Sequence, residues 1–461
     1  MTASAHSLSF ELAPGGALRG ELRVPGDKSI SHRAVMLAAL AEGETEIEGF
    51  LEGADSLATL AAFRAMGVEA DGPIAGRLRV SGVGLQGLQA PQQALDLGNS
   101  GTSMRLLSGL LAGQRFASTL IGDASLSRRP MGRVIDPLTQ MGARIEATPE
   151  GRSPLRLLPA EALVGIDYAL PVASAQVKSS LLLAGLYAQG ETCVTEPAPT
   201  RDHTERMLAA FGYPVRRQGN RVCLSGGGRL IATPIRIPAD ISSAAFFLVG
   251  ASIAPGSDLT LTEVGMNPTR IGVVNILRQM GADIAIERPR ELGGEPVADL
   301  RVRAAALHGI AIPEEQVPLA IDEFPALFIA AACADGETLL TGAAELRVKE
   351  SDRIQVMAGG LSALGVEAEP RPDGILIRGI GAAGLLGGGR VAGHGDHRIA
   401  MAFAISALRA IAPIQIDDCA NVETSFPGFA GLAAGVGLQI TERRAEKHAE
   451  EHAKEHAEER A

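Results

Sequence analysis

One short phrase, an apolar residue followed by glycine and then a run able to form a strand, occurs six times: Met66-Gly67-Val68, Met141-Gly142-Ala143, Phe211-Gly212-Tyr213, Met280-Gly281-Ala282, Leu364-Gly365-Val366 and Val436-Gly437-Leu438. The spacings are 75, 70, 69, 84 and 72 residues. Glycine just past an amphipathic helix enters the left-handed region without strain and stops the helix. The phrase therefore predicts six helices, each feeding a strand. Upstream of each lies a polar or glycine-bearing turn opening an Ala/Leu-rich helix: Gly26-Asp27-Lys28-Ser29, Gly98-Asn99-Ser100-Gly101, Ala173-Ser174-Ala175-Gln176, Ala239-Asp240-Ile241-Ser242, Ile321-Asp322-Glu323-Phe324 and Gly395-Asp396-His397-Arg398. A unit of about 70 residues with two helices cannot bury both alone, so units must pack around shared centres. Six units suggest two domains of three.

Composition fits such an architecture. The 461 residues are 46% hydrophobic but only 3% aromatic, with no Trp and 55 Gly, so the cores must be built from small aliphatic side chains. The net charge of −11 argues against a nucleic-acid surface. Cys193, Cys223, Cys333 and Cys419 are widely separated, which gives neither a zinc spacing nor a disulfide framework and suggests a reducing cytoplasm. Met1 to Phe10 lack the flanks of a secretory signal, and runs such as Ile241 to Ala254 are shorter than the ~20 residues of a membrane span.

The turns carry more than capping requires. Helix N-termini present free amides and partial positive charge, so several that converge make an anion site. Lys28, Ser29 and Arg33 add cations and a hydroxyl where cations disfavour the helix itself, which points to an anionic ligand. Arg128, Arg129 and Arg133 crowd one turn, and Lys349-Glu350-Ser351-Asp352-Arg353 mixes both signs before a helix. Asp322-Glu323 precede the wholly apolar Phe324 to Ala332. Carboxylates at the mouth of a buried helix are candidates for raised pKa and proton transfer.

The stretches Val24 to Arg33, Leu97 to Thr102, Arg129-Pro130-Met131-Gly132, Arg347 to Arg353 and Gly395 to Met401, in that order, resemble the signatures of the 5-enolpyruvylshikimate-3-phosphate synthase family. The resemblance runs from about Leu8 to Ile440. It implies an α/β fold of two domains, each of three βαβαββ-type repeats forming an inside-out α/β barrel, with the active site in the interdomain cleft. The implied boundaries are 25–238 for one domain, 1–24 plus 239–441 for the other, and a charged tail at 442–461. The implied reaction moves the enolpyruvyl group of phosphoenolpyruvate to the 5-hydroxyl of shikimate 3-phosphate and releases phosphate, with no metal or organic cofactor.

Matched by position, Lys28, Ser29, Arg33, Ser174, Ala175, Gln176, Arg201, Asp322 and Lys349 are implied to bind shikimate 3-phosphate. Lys28, Asn99, Gly101, Arg129, Gln176, Arg353 and Arg398 are implied to bind phosphoenolpyruvate. Asp322 matches the acceptor of the hydroxyl proton, and Glu350 and Lys28 match the remaining proton-transfer groups. Thr424 stands where some members carry lysine before Thr-Phe-Pro, which removes a cation from that loop. Gly101, where glyphosate-tolerant members carry alanine, implies ordinary sensitivity to that inhibitor. The related UDP-N-acetylglucosamine enolpyruvyl transferases have Lys-Asn in place of Lys28-Ser29 and a reactive cysteine on the second-unit loop, whereas no cysteine here precedes Cys193. An inactive repeat scaffold would have no reason to keep these charges together. A cytoplasmic monomer free of nucleic-acid and membrane partners is the expectation. His448, His452 and His456 recur every four residues in the tail and read as part of a solvated segment.

Overall fold

The computed structural model describes residues 8–381 and 386–444. All six phrase glycines lie where a helix stops and all have positive φ: Gly67 +87°, Gly142 +96°, Gly212 +76°, Gly281 +95°, Gly365 +84° and Gly437 +117°. The helices they end are Ala54–Ala65, Gly132–Gln140, His203–Ala210, Gly272–Gln279, Arg353–Ala363 and Phe429–Gly435. These outer helices keep one face wet.

The second helix of each unit lies inside. Lys28–Leu40, Gly101–Ala112 and Ala175–Gly185 belong to one buried core, which runs from Ile30 to Ile237. Ile241–Ile253, Phe324–Cys333 and His397–Ser406 belong to a second core, which joins Leu8 to Val24 with Ala239 to Leu438. Ile241–Ile253 is buried at every position, as a helix without a polar face must be. Close approach uses small residues: a Cβ on Gly109 would sit 1.9 Å from the Ser180 carbonyl oxygen of the neighbouring inner helix. That contact explains glycine where aromatics are scarce.

Among the described residues, six sheets of three to five strands surround the helices, one per unit. Two strands are exchanged between the halves. Arg19–Leu22, which precedes the first inner helix, pairs in parallel with Asp258–Gly265 of the fourth unit, and Ile235–Arg236, which precedes the fourth inner helix, pairs in parallel with Ala41–Glu48 of the first. The two crossings between the cores consequently lie side by side, joined by an antiparallel bridge between Gly26 and Ala239. The N-termini of the inner helices face the cleft beside those crossings.

Two readings of the sequence are corrected. Cys193 and Cys223 are opposite one another in the register of Glu191–Thr195 and Arg221–Ser225 and form a disulfide. Strand pairing brings together thiols that sequence separation holds apart, whereas Cys333 and Cys419 stay free and buried. Glu442, Arg443 and Arg444, assigned to the tail, instead continue the strand Ile440–Arg444, paired with Leu8–Leu12. Its pattern of one half-buried and four exposed residues looks like a tail in sequence because it is an edge strand. The histidines His448, His452 and His456 lie outside the described residues.

Candidate active site

Five of the six inner helices are capped by the side chain of their turn residue. Asp27, Ser100, Ser174, Asp240 and Asp396 accept the N–H groups of Ile30, Ser103, Val177, Ser242 and Arg398. The exception is Phe324–Cys333, where Glu323 makes no cap bond to its own helix and instead accepts from the Ser242 hydroxyl. Asp322 is therefore carried on a turn set by a buried carboxylate rather than by a cap.

Asp322 is the meeting point of cations from distant segments. Its carboxylate accepts from the Arg201 guanidinium, lies 3.4 Å from Arg353 Nη1 and 3.7 Å from Lys349 Nζ, and its backbone oxygen accepts from Arg398 Nη1 at 2.9 Å. Burial alone would raise this carboxyl, but Arg201, Lys349, Arg398 and Arg353 together hold it well below the usual carboxylate range. Glu350 repeats the pattern, with Arg353 Nη2 at 2.7 Å and Arg129 Nη1 at 3.5 Å. Burial is again outweighed, chiefly by Arg353 and Arg129. The raised pKa expected of carboxylates at this helix mouth is thus reversed for Asp322.

Arg353 is only 1% exposed in its side chain and is fixed by Asp396, whose Oδ2 accepts from Arg353 Nε at 2.8 Å and from the Ser351 hydroxyl at 3.0 Å. Arg129 Nη2 donates to Asn99 Oδ1 at 2.6 Å, and Asn99 Nδ2 donates to Asp123 at 2.7 Å. Beside them, Gln176 accepts from Arg105 Nη1 at 2.7 Å and donates to Thr102 at 2.9 Å. Gly101 faces these guanidiniums: an added Cβ would lie 2.9 Å from Arg105 Nη1 and 3.1 Å from Arg129 Nη1. Burial, with Arg129 alongside, pulls the Arg105 guanidinium down to about 10.

Lys28 Nζ donates to Asp55 at 3.0 Å and to the Ser425 hydroxyl at 2.8 Å, so it reaches across to the second half. Ser425 is anchored by its neighbour Phe426, fully buried against Phe247 and Phe429. Thr424 packs its carbonyl against Gly53, where a Cβ would come within 2.7 Å.

Not every expected residue joins this cluster. Arg33 turns inward, donating to Thr204 at 2.7 Å, Ser179 at 2.8 Å and the Ser29 carbonyl at 2.9 Å. Burial lowers it to about 10, with Glu205 opposing. Ser174 caps its own helix at 3.4 Å, and Ala175 is that helix's first residue. Arg105, Asp55, Ser425 and the anchoring role of Asp396 escaped the sequence reading. Arg105 sits one turn inside its helix, just past the Leu97 to Thr102 signature and outside it, while Asp396 lay in a motif but read as a cap.

A cavity of about 770 Å³ opens elsewhere, at the other ends of two inner helices, near Leu40, Tyr187 and Arg229. The converging charges are at the N-terminal ends, and chemistry on anions belongs there. Among the described residues Asp202, His203 and Glu295 also come together, but their atoms are engaged by Asn267, Arg206, Arg270 and one another.

The profile of the family described as EPSP synthase (3-phosphoshikimate 1-carboxyvinyltransferase) matches residues 12–432. A 3-phosphoshikimate 1-carboxyvinyltransferase of Alkalilimnicola ehrlichii is 72% identical over 434 residues, 94% of this chain and 97% of the relative. One of Methylococcus capsulatus is 69% identical over 431 residues, covering 94% and 98%. The solved EPSP synthase of Acinetobacter baumannii superposes with a TM-score of 0.86 at 57% identity, covering 95% of this chain and 100% of that one. The enolpyruvyl transferase NikO of Streptomyces tendae, at 16% identity and a TM-score of 0.74 over 96% of this chain and 100% of that one, shares the fold.

Proposed function

The chain belongs to the EPSP synthase family, and from that premise we propose how its cleft divides the work. The enzyme transfers the enolpyruvyl group of phosphoenolpyruvate to the 5-hydroxyl of shikimate 3-phosphate, in the shikimate route to aromatic amino acids. The chemistry is addition followed by elimination. Protonation of the methylene carbon makes its phosphate-bearing neighbour electrophilic, the 5-oxygen attacks, and the tetrahedral intermediate loses a methyl proton as phosphate leaves.

In our reading Asp322 accepts the hydroxyl proton, and Glu350 and Lys28 move the proton on and off the methyl carbon. Arg129, Arg353, Arg398, Asn99, Gly101 and Gln176, with Lys28, hold phosphoenolpyruvate. Lys28, Ser29, Arg33, Ser174, Ala175, Gln176, Arg201, Asp322 and Lys349 serve shikimate 3-phosphate. The observation that carries this is the convergence on Asp322 of Arg201, Lys349, Arg353 and Arg398, drawn from three separate segments of the chain. An anionic substrate competes for these cations. Once they are drawn to phosphate or carboxylate oxygens, Asp322 loses the charges that suppress its basicity and becomes a better proton acceptor. The same cations then stabilise the departing phosphate. We place the enzyme in the cytoplasm as a monomer; among the described residues no helix is long and apolar enough to cross a membrane.

Release of phosphate is the direct test. It should require phosphoenolpyruvate and shikimate 3-phosphate together, and UDP-N-acetylglucosamine should not substitute as acceptor; turnover with that acceptor would overturn the reading. Gly101 gives a second expectation. Gly101→Ala pushes a methyl against two flexible guanidinium ends rather than backbone, so the protein should fold normally. Its KM for phosphoenolpyruvate should rise, and inhibition by glyphosate should weaken more. Equal loss of both would place the methyl outside the pocket.

A further inference from the structure

Each crossing between the halves carries the same five-residue pattern, Arg23-Val24-Pro25-Gly26-Asp27 and Arg236-Ile237-Pro238-Ala239-Asp240. The two lie antiparallel, with Asp27 N–H donating to the Pro238 carbonyl and Asp240 N–H to the Pro25 carbonyl, each at 2.9 Å. In each the arginine precedes the crossing and the aspartate follows it. Arg23 and Asp240 thus go with the second core, and Arg236 and Asp27 with the first.

The two arginines converge on one carboxylate. Glu263 accepts from Arg23 Nε at 3.1 Å and from Arg236 Nη2 at 2.9 Å. It sits at a bulge in Asp258–Gly265 with φ +54°, a conformation rare for a residue with a side chain, and its N–H is held by Asp299 at 2.8 Å. The two aspartates converge on one guanidinium. Arg270, with its side chain 4% exposed, donates to Asp27 at 3.0 Å, to Asp240 at 3.3 Å and to the Ser242 hydroxyl at 2.7 Å.

We infer that Glu263 and Arg270 are the two pins of the hinge, and that Arg270 is a positioning residue for Lys28. Each pin belongs to the second half and grips one residue from either side of the cleft. Arg270 does more, because both carboxylates it holds also hold the first turn of the helix bearing Lys28. Asp27 caps Ile30 N–H through its other oxygen at 2.8 Å, and Asp240 accepts the Lys28 N–H at 3.2 Å. Arginine's planar fork can serve two carboxylates at once, which a lysine ammonium cannot do in the same geometry. The inference rests on the proposed part of Lys28 in the chemistry.

The test compares Arg270→Lys and Glu263→Gln in the full chain, with the folded fraction measured by urea unfolding. Arg270→Lys should lose about 10- to 100-fold in kcat with both substrates saturating, the size expected for a displaced reacting group. Glu263→Gln should keep that kcat but start from a looser hinge. Its radius of gyration without substrate should exceed wild type, and its KM for shikimate 3-phosphate should rise because binding must then restore the competent arrangement. A folded Arg270→Lys with wild-type kcat would overturn the positioning role. Glu263→Gln with unchanged scattering and KM would overturn the pin. Should Arg270→Lys not fold, Asp27→Asn keeps the capping oxygen, drops the charge Arg270 grips, and should reproduce the kcat loss; wild-type kcat there also overturns the role. Lys28→Met separates the premise from the inference: if it turns over normally, the route through Lys28 fails, while scattering of Glu263→Gln still decides the hinge.

Discussion

His32 stands between Lys28 and Arg33 in sequence yet is fully buried, hydrogen-bonded to Thr59 at 2.7 Å. Burial, with Lys28 and Arg33 adding to it, lowers its pKa from 6.5 to about 3. Above pH 6.5 folded and unfolded chains both hold the imidazole neutral. Below it the unfolded chain takes up a proton that the folded one refuses, so stability drains away progressively between pH 6.5 and about 3. The slope is about 1.4 kcal/mol per pH unit for one such proton. His397, also buried and held low, adds a second. Urea unfolding between pH 7 and 5 should show this loss, and His32→Asn should make the slope shallower by one proton; an unchanged slope would exclude His32 as its source. The sequence marked the neighbourhood well, because Lys28, Arg129, Asp322, Glu350, Arg353 and Arg398 sit in contiguous motifs. It missed Arg105 and reversed the direction for Asp322. Each depends on groups from separate segments, the Gln176 amide and the Arg129 charge in the first case and the charges of Arg201, Lys349 and Arg398 in the second.

Helix ends were legible because capping is local chemistry: all six cap glycines could be read from the chain. The glycines that let elements touch were not. Gly82, Gly226 and Gly379 occupy equivalent places in the first, third and fifth units, where the final strand or its end passes the inner helix. A Cβ at Gly82 would meet the Ala41 and Ala38 carbonyl oxygens at 2.2 and 2.5 Å, at Gly226 those of Ala188 and Gly185 at 2.0 and 2.7 Å, and at Gly379 those of Ala334 and Ala331 at 2.1 and 2.6 Å. Nothing local announces this, since none of the three has positive φ. The two classes should behave differently. Gly365→Ala meets no atom within 4 Å and suffers only from its φ of +84°, a cost of about 1–2 kcal/mol. Gly82→Ala must push backbone away from backbone and should cost about 3 kcal/mol or more. Comparable unfolding midpoints for the two would refute the close packing of strand on helix.

At the scale of the molecule, the acidic total and the basic cleft are reconciled by pairing rather than by repulsion. Counting cations alone predicts halves that repel until anionic substrates arrive. Around the active site, pairs instead already span the cleft, Arg129 with Glu350 and Arg201 with Asp322, and Lys28 reaches Ser425. The bridging groups keep 12–23% of their side chains exposed, so they are open to screening and to competition. Substrates therefore exchange partners with carboxylates already present, and the contacts across the cleft pass from weak side-chain pairs to multiply charged ligands. Small-angle scattering should show the consequence. Without substrates, raising ionic strength should loosen the bridging pairs and increase the radius of gyration. With shikimate 3-phosphate bound, the radius should be smaller and much less sensitive to salt, because buried contacts are screened less. A radius that ignores salt without substrate would mean that the crossings with their pins and the backbone contact of Thr424 with Gly53 hold the halves, and that the pairs around the active site contribute nothing to closure.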